Sequence, residues 1–260
     1  MSKSRHLVIR DAGEPDLLVR TYAVTHPVGL GLSSRSYPKW DQLAYASRGV
    51  MSVETSSGTW VVPPHRAVWI PAGQRHAVHM SGRVTVRTLF FRRGLARLPR
   101  RCTAVNVSLL LRELVLEAAR AAVLRRSVPA QRRLAQVILD QLKLVPAVAL
   151  QLPMPRDGRA RRAADLMIER VADAEPLASV VRRSGASKRT LERLFVRDTA
   201  LSLGRWRQRM RLIEALRLLA QDHAVTRVAL DVGYRSPSAF VSAFRRELGT
   251  TPRRYFAGSA

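Results

Sequence analysis

From about Leu43 to Phe91, apolar and polar positions fall into short runs: Val50–Thr55, Thr59–Val62, Ala67–Ile70, His76–Met80 and Val84–Phe91. Turn residues separate them, Ser56-Ser57-Gly58, Pro63-Pro64, Pro71-Ala72-Gly73 and Ser81-Gly82. Strands recurring about every ten residues with such punctuation predict an antiparallel sandwich or barrel. After Arg97-Leu98-Pro99 the apolar spacing becomes helical, first at Leu110, Leu114 and Leu116, then at Leu134, Val137, Ile138 and Leu142. Two amphipathic helices are expected there; the pattern fits packing against the β domain and a dimer seam equally well. Pro153-Met154-Pro155-Arg156-Asp157-Gly158 then sets three structure-breaking residues within six positions, as a linker does. Every later run is helical: Ala163–Val171, Leu177–Arg183, Lys188–Val196, Leu203–Leu219, Val225–Val232 and Pro237–Leu248. The expected architecture is α+β with two domains: residues 1–97 all-β, 98–156 linker or dimerisation helices, and 157–260 all-α.

Composition narrows the function. Hydrophobic residues make up 47% of the 260, enough for real cores, and the net charge of +26 attracts a polyanion at long range. Nucleic acid or an anionic membrane surface is implied, although the basic excess runs through both halves and does not locate a site. No uncharged apolar stretch reaches the roughly 18–20 residues that span a bilayer; Val107–Leu116 and Val145–Leu152 are short or broken. The single Cys102 forms no internal disulfide, and Met1–His6 carries no apolar secretion run, so the expected location is the cytoplasm, on the nucleoid.

The all-α region contains a spaced repeat. Ser187, Phe195, Ala200 and Ser202 recur as Ser236, Phe244, Gly249 and Thr251, with offsets of 8, 13 and 15 from the first serine in both copies. Ser187 and Ser236 are placed to N-cap a helix, and Pro237 stands at the first helical position, where a missing N–H costs nothing. Phe195 and Phe244 fall two turns further on, on the core face. Gly185 and Gly233 precede the caps, where a tight interhelical turn needs positive φ. Helix, glycine-bearing turn and capped helix together predict two helix-turn-helix units.

The second copy, Val225-Thr-Arg-Val-Ala-Leu-Asp-Val-Gly-Tyr-Arg-Ser-Pro-Ser-Ala-Phe-Val-Ser-Ala-Phe-Arg-Arg-Glu-Leu-Gly-Thr-Thr-Pro252, resembles the signature of the AraC/XylS family of transcription regulators. Gly185-Ala-Ser-Lys-Arg-Thr-Leu-Glu-Arg-Leu-Phe195 resembles the family's first motif, and the likeness covers about 159–257. Two positions depart from the family pattern, Ala200 where Gly is usual and Val181 where a small Ala is usual. The β-rich half, about 25–95, resembles the cupin-like sensor barrel of one subgroup. The resemblance implies seven helices, a long Leu203–Gln221 helix joining the units, and recognition helices in successive major grooves about 34 Å apart. It further implies a sequence-specific regulator of duplex DNA, controlled by a small-molecule effector in the barrel, with RNA polymerase and a second copy of the chain as partners and with no cofactor.

On the first recognition helix, Lys188, Arg189, Glu192 and Arg193 are the expected exposed positions. Arg189 and Arg193 can each donate two hydrogen bonds to guanine and Glu192 can accept from cytosine. On the second, Ser238, Ala239 and Ser242 offer only hydroxyls or a small apolar contact. Arg235, Ser236, Arg245 and Arg246, with Arg205, are candidates for positioning on the phosphates. In the β half, Ser36 and Pro38 occupy the place of a cupin His-x-His pair, so no metal site is expected. His65, His76 and His79 remain. The odd separation of 76 and 79 sends their side chains to opposite faces, leaving His76 with Trp40 and Trp69 as candidate effector contacts or core filling. Two other classes compete: a cupin-type enzyme, for which the sequence offers no metal cluster, phosphate loop or triad, and a non-specific DNA-coating protein, which would not need paired, capped helices.

Overall fold

The computed structural model describes residues 15–27, 31–63, 65–144, 151–171 and 176–257. Met1–His6 and most of the apolar stretch Val145–Leu152 lie outside them. Ten strands among the described residues form one sheet: β1 Leu17–His26, β2 Gly31–Arg35, β3 Trp40–Thr55, β4 Gly58–Val62, β5 Arg66–Ile70, β6 His76–Arg92, β7 Thr103–Asn106, β8 Val123–Arg125, β9 Lys143–Leu144 and β10 Gln151–Pro153. Its spine is the antiparallel pair β3 and β6, which runs from Trp40 opposite Arg92 to Thr55 opposite His76. Ser81-Gly82, expected as a turn, instead lies inside β6. Gly82 takes φ +75° and the ladder shifts register nearby, so the strand bends without ending.

The cupin-like barrel is not formed. The strand path β8-β1-β6-β3-β5-β7-β9 has two different ends with no ladder joining them, and β2, β4 and β10 pair only at its sides. Alternating polarity sets which face of a strand is buried, but closure requires a consistent shear around the whole ring, which no local pattern encodes. The effector site expected inside a barrel falls with it. The cavity on that face of the sheet, lined in part by Tyr37, His76, Met80 and Phe90, measures about 30 Å3, room for a water or two.

The other face is covered by two helices, α1 Leu109–Ala121 and α2 Pro129–Asp140. Leu43, Tyr45, Trp69 and Phe91 from the strands pack there against Leu111, Val115, Ala118 and Ile138. Ala44, Ala46, Val68 and Ile70, one residue out of phase, lie in the opposite layer, as the two-residue period of a strand requires. The buried faces of α1 and α2 therefore pack on the sheet, while Leu109, Leu110 and Val137 remain exposed.

Among the described residues seven helices follow: α3 Gly158–Glu169, α4 Leu177–Ser184, α5 Lys188–Thr199, α6 Leu203–Leu219, α7 Val225–Asp231, α8 Pro237–Leu248 and α9 Pro252–Ala257. The seven agree with the number the resemblance implied. Their shared core centres on Phe195, Trp206, Phe240, Phe244 and Tyr255, and it takes in Val50, Val61 and Leu152 from the sheet. Pro153, the first residue of the stretch read as a linker, ends β10, which pairs with β4. The Trp206 indole N–H donates to the Pro153 carbonyl at 2.7 Å, and Arg217 Nε donates to Ser52 Oγ at 3.3 Å. The central helix α6 is thus docked on the sheet by packing and by hydrogen bonds.

Candidate nucleic-acid interface

Each copy of the repeat builds the same local structure. α4 stops at Gly185 (φ +74°), and Ser187 Oγ accepts the Thr190 N–H at 3.2 Å to start α5. α7 is followed by Gly233 (φ +81°), and Ser236 Oγ accepts the Ala239 N–H at 3.2 Å to start α8, with Pro237 in the first turn. Each cap satisfies an N–H that would otherwise lack a partner, a contribution of about 1 kcal/mol. Leu191, Leu194 and Phe195 are buried in α5, as are Phe240, Ala243 and Phe244 in α8. With 3.6 residues per turn, the intervening positions must then face outward.

Lys188, Arg189, Glu192 and Arg193 are all exposed on α5, and Ser238, Ala239, Ser242 and Arg245 are exposed on α8. Arg235 is exposed just before the second cap, whereas Ser236 is half-buried with its hydroxyl engaged in that cap. Lys188 Nζ lies 3.9 Å from Glu192 Oε1, a solvent-exposed pair that contributes little and that a competing partner can displace. Among the described residues, neither Arg189 nor Arg193 is held in an ion pair, so both guanidiniums are available.

The ends of α5 and α8 differ as the sequence does. Gly249 (φ +79°) and Ala200 (φ +58°) both close their helix in the left-handed region, each donating its N–H to the carbonyl four residues back. A Cβ is strained there by about 1–2 kcal/mol, which outweighs the extra unfolded-state freedom of glycine. Ala200→Gly is therefore expected to stabilise the protein by about 0.5–1 kcal/mol in urea unfolding. A loss of stability would mean that the strain is relieved elsewhere. Val181, the other departure, sits half-buried against the helical core.

Asp198, a residue that no local pattern singles out, fixes the last turn of α5. Its carboxylate accepts from Arg197 Nε at 2.7 Å and from the backbone N–H groups of Arg156 and Asp157 at 2.9 and 3.0 Å. The Arg197 contact foremost, then the Asp157 N–H, holds its pKa far below the ordinary carboxylate value. A depressed folded-state pKa gives stability that is present above the unfolded pKa of about 3.9 and is lost as pH falls below it. Wild type should therefore lose stability more steeply than Asp198→Asn between about pH 5 and pH 2. Equal acid sensitivity in the two proteins would remove Asp198 from this role.

The residues proposed for an effector do not converge. Trp69 is buried beneath α1 and α2, with its ring tilted against Phe91 at 5.8 Å. Trp40 packs with Leu17 and Phe90, with the Arg20 guanidinium 5.5 Å over its ring. His76 alone borders the small cavity; it is 3% exposed, with Nδ1 2.9 Å from the Gln74 carbonyl, and burial lowers its pKa. His79 is exposed and pairs with Glu54, on the opposite side from His76 as the odd spacing required.

Two glycine-turned, serine-capped helix pairs joined by one central helix define a tandem helix-turn-helix protein. A family model described as a helix-turn-helix domain matches residues 180–258. The HTH-type transcriptional regulator NimR of Escherichia coli is 35% identical over 216 residues, 83% of this chain and 79% of that protein. The regulatory protein SoxS of Salmonella typhimurium is 39% identical over 77 residues, 29% of this chain and 72% of SoxS. A solved AraC-type regulator from Chromobacterium violaceum is 27% identical, with a TM-score of 0.37, over 39% of this chain and 92% of that one. The chain belongs to the AraC-type family of helix-turn-helix transcription regulators. It is a DNA-binding regulator and not an enzyme, as the names of these relatives have it. Among the described residues, no helix is long and apolar enough to cross a membrane.

Proposed function

We propose that the chain recognises a discrete duplex site by setting α5 and α8 into the major groove, with α5 carrying most of the base discrimination. The observation that carries this reading is the unpaired, exposed Arg189 and Arg193 on a helix whose opposite face is locked by Phe195. Arg189 and Arg193 read guanine and Glu192 accepts from cytosine once it leaves Lys188. Ser238, Ala239 and Ser242 add a weaker contribution, and Arg205, Arg235, Arg245 and Arg246 neutralise phosphates.

Residues 157–260 form the DNA-binding unit in this reading, and the segment 98–156, which supplies β7 to β10, α1 and α2, is part of the sheet domain instead of a separate connection. The exposed Leu110 and Val137 support pairing of two copies through α1 and α2. The site of action is the nucleoid, alongside RNA polymerase. The test is footprinting on DNA upstream of the chain's own and neighbouring genes, with excess competitor at about 0.15 M salt. A protected site is the expected result, with two half-sites if the copies pair. Uniform coverage of every fragment would favour the coating alternative.

A further inference from the structure

The two copies of the repeat stand 49 positions apart, from Ser187 to Ser236 and from Phe195 to Phe244. The same step carries the buried Ala163, Ala164 and Met167 of α3 onto the buried Leu212, Ile213 and Leu216 of α6. Each unit is therefore three helices long, α3-α4-α5 and α6-α7-α8, and begins well before its serine cap. Next to the first of these core positions stands an arginine in both copies, Arg162 on α3 and Arg211 on α6, again 49 apart.

Both arginines end against the turn glycine of their own unit. Arg162 Nη2 donates to the carbonyl of Ser184, the last residue of α4, at 3.4 Å, and lies 3.7 Å from the point that a Cβ on Gly185 would occupy. Arg211 Nη2 lies only 2.9 Å from the corresponding point on Gly233, and its guanidinium carbon sits 5.9 Å from the centroid of the Tyr234 ring. The first contact satisfies a carbonyl that the end of α4 leaves without an intrahelical partner, and it brings a positive charge where the helix dipole favours one. The second sets a cation over an aromatic face in the turn itself. Among the described residues neither guanidinium is paired with a carboxylate, so the turn is what each is held against.

The turn sets the angle between the two helices of a unit, and with it the way the exposed face of α5 or α8 meets the groove. We propose that Arg162 and Arg211 are positioning residues for base recognition, each bracing from the preceding helix the turn of its own unit. They touch no base and act through the turn. This inference rests on the reading that α5 and α8 lie in the major groove. Lysine in their place keeps the charge and loses the planar fork that lies on the turn.

The experiment measures binding of the full chain to its footprinted duplex and to a random duplex across a salt series, well below the Tm of each variant. The variants are Arg162→Lys, Arg162→Met, Arg211→Lys and Arg211→Met. Arg162→Lys should weaken binding to the specific duplex about fivefold or more, the loss of one good base contact, and Arg211→Lys about twofold, because α8 presents only short side chains. Lysine and methionine should be equally harmful there, while both lysine variants keep the wild-type affinity for random duplex and the wild-type salt slope. Protection should weaken over the part of the site read by the affected unit and persist over the other, with Arg189→Ala, Arg193→Ala marking the part read by α5. Rescue by lysine, with methionine weakening both duplexes and lowering the salt slope by about one, would make these arginines phosphate contacts and overturn the proposal. Loss spread evenly over the site, or a variant with no folded state at the assay temperature, would make them general supports of the fold and overturn it too. A discrete site that is lost in Arg189→Ala, Arg193→Ala and unchanged in all four variants overturns this inference alone. No discrete site for wild type overturns the underlying reading with it.

Discussion

Arg189→Ala combined with Arg193→Ala is expected to lower affinity for a specific site by roughly 100-fold or more, since each bidentate guanine contact contributes about 1–3 kcal/mol of discrimination. The loss should be concentrated on the specific site. Non-specific binding depends on summed charge and salt, and removing two of 45 basic residues changes it far less. Both side chains are exposed on α5, so unfolding stability should stay within about 0.5 kcal/mol of wild type. Removing the Ser238 and Ser242 hydroxyls should cost less affinity, because each supplies at most one neutral hydrogen bond. Titration of labelled specific and random duplexes at fixed salt separates these outcomes. Equal weakening on both duplexes would show that α5 contacts phosphates and that base reading lies elsewhere.

The largest stability effect is expected at Phe195. The ring is fully buried and lies edge-on to Trp206 at 5.3 Å, where α5 meets the central helix. Phe195→Ala should destabilise the protein by about 3–5 kcal/mol, combining lost burial with a cavity that rigid neighbours fill only in part. Phe195→Leu keeps most of the volume and should cost less than half of that. Urea unfolding measures both. Because Trp206 also donates to Pro153, loosening this contact should weaken the docking of α6 on the sheet as well as the presentation of α5. A cost below about 1 kcal/mol for the alanine variant would mean that the helical core does not depend on this ring.

The helical half could be read from the chain because its determinants are local. A serine cap, a glycine at positive φ and a phenylalanine two turns on act within a dozen residues, and the recurrence of serine and phenylalanine at the same spacing left little freedom. α8 spans Pro237–Leu248 as expected, and Ser187, Ser236, Gly185 and Gly233 have the geometry the pattern required. α9 lies beyond the six helical runs read from periodicity and was implied only by the resemblance, because Pro252–Ala257 is short and its place is fixed by Tyr255 entering the core.

The β half was read less well. The strand segments from Val50 onward were recognised, yet β3 begins earlier, at Trp40, and β6 passes through Ser81-Gly82, because a glycine bend inside a long strand and a hairpin turn have the same residue signature. β1, β2 and β7 to β10 lie outside the stretch read as strands, and their partners are distant in sequence. Asp198 gave no signal either, because its role depends on two N–H groups about forty residues away.

By itself, then, the sequence determined the class of the protein, the two helix-turn-helix units and the exposed face of each recognition helix, since helix periodicity and capping are short-range. Only the tertiary structure decided that the sheet stays open, that Trp40, Trp69 and His76 point to different places, and that Arg162 and Arg211 each lie against the turn glycine of their unit. Each of these depends on pairings between segments tens of residues apart, which packing fixes and local pattern does not record.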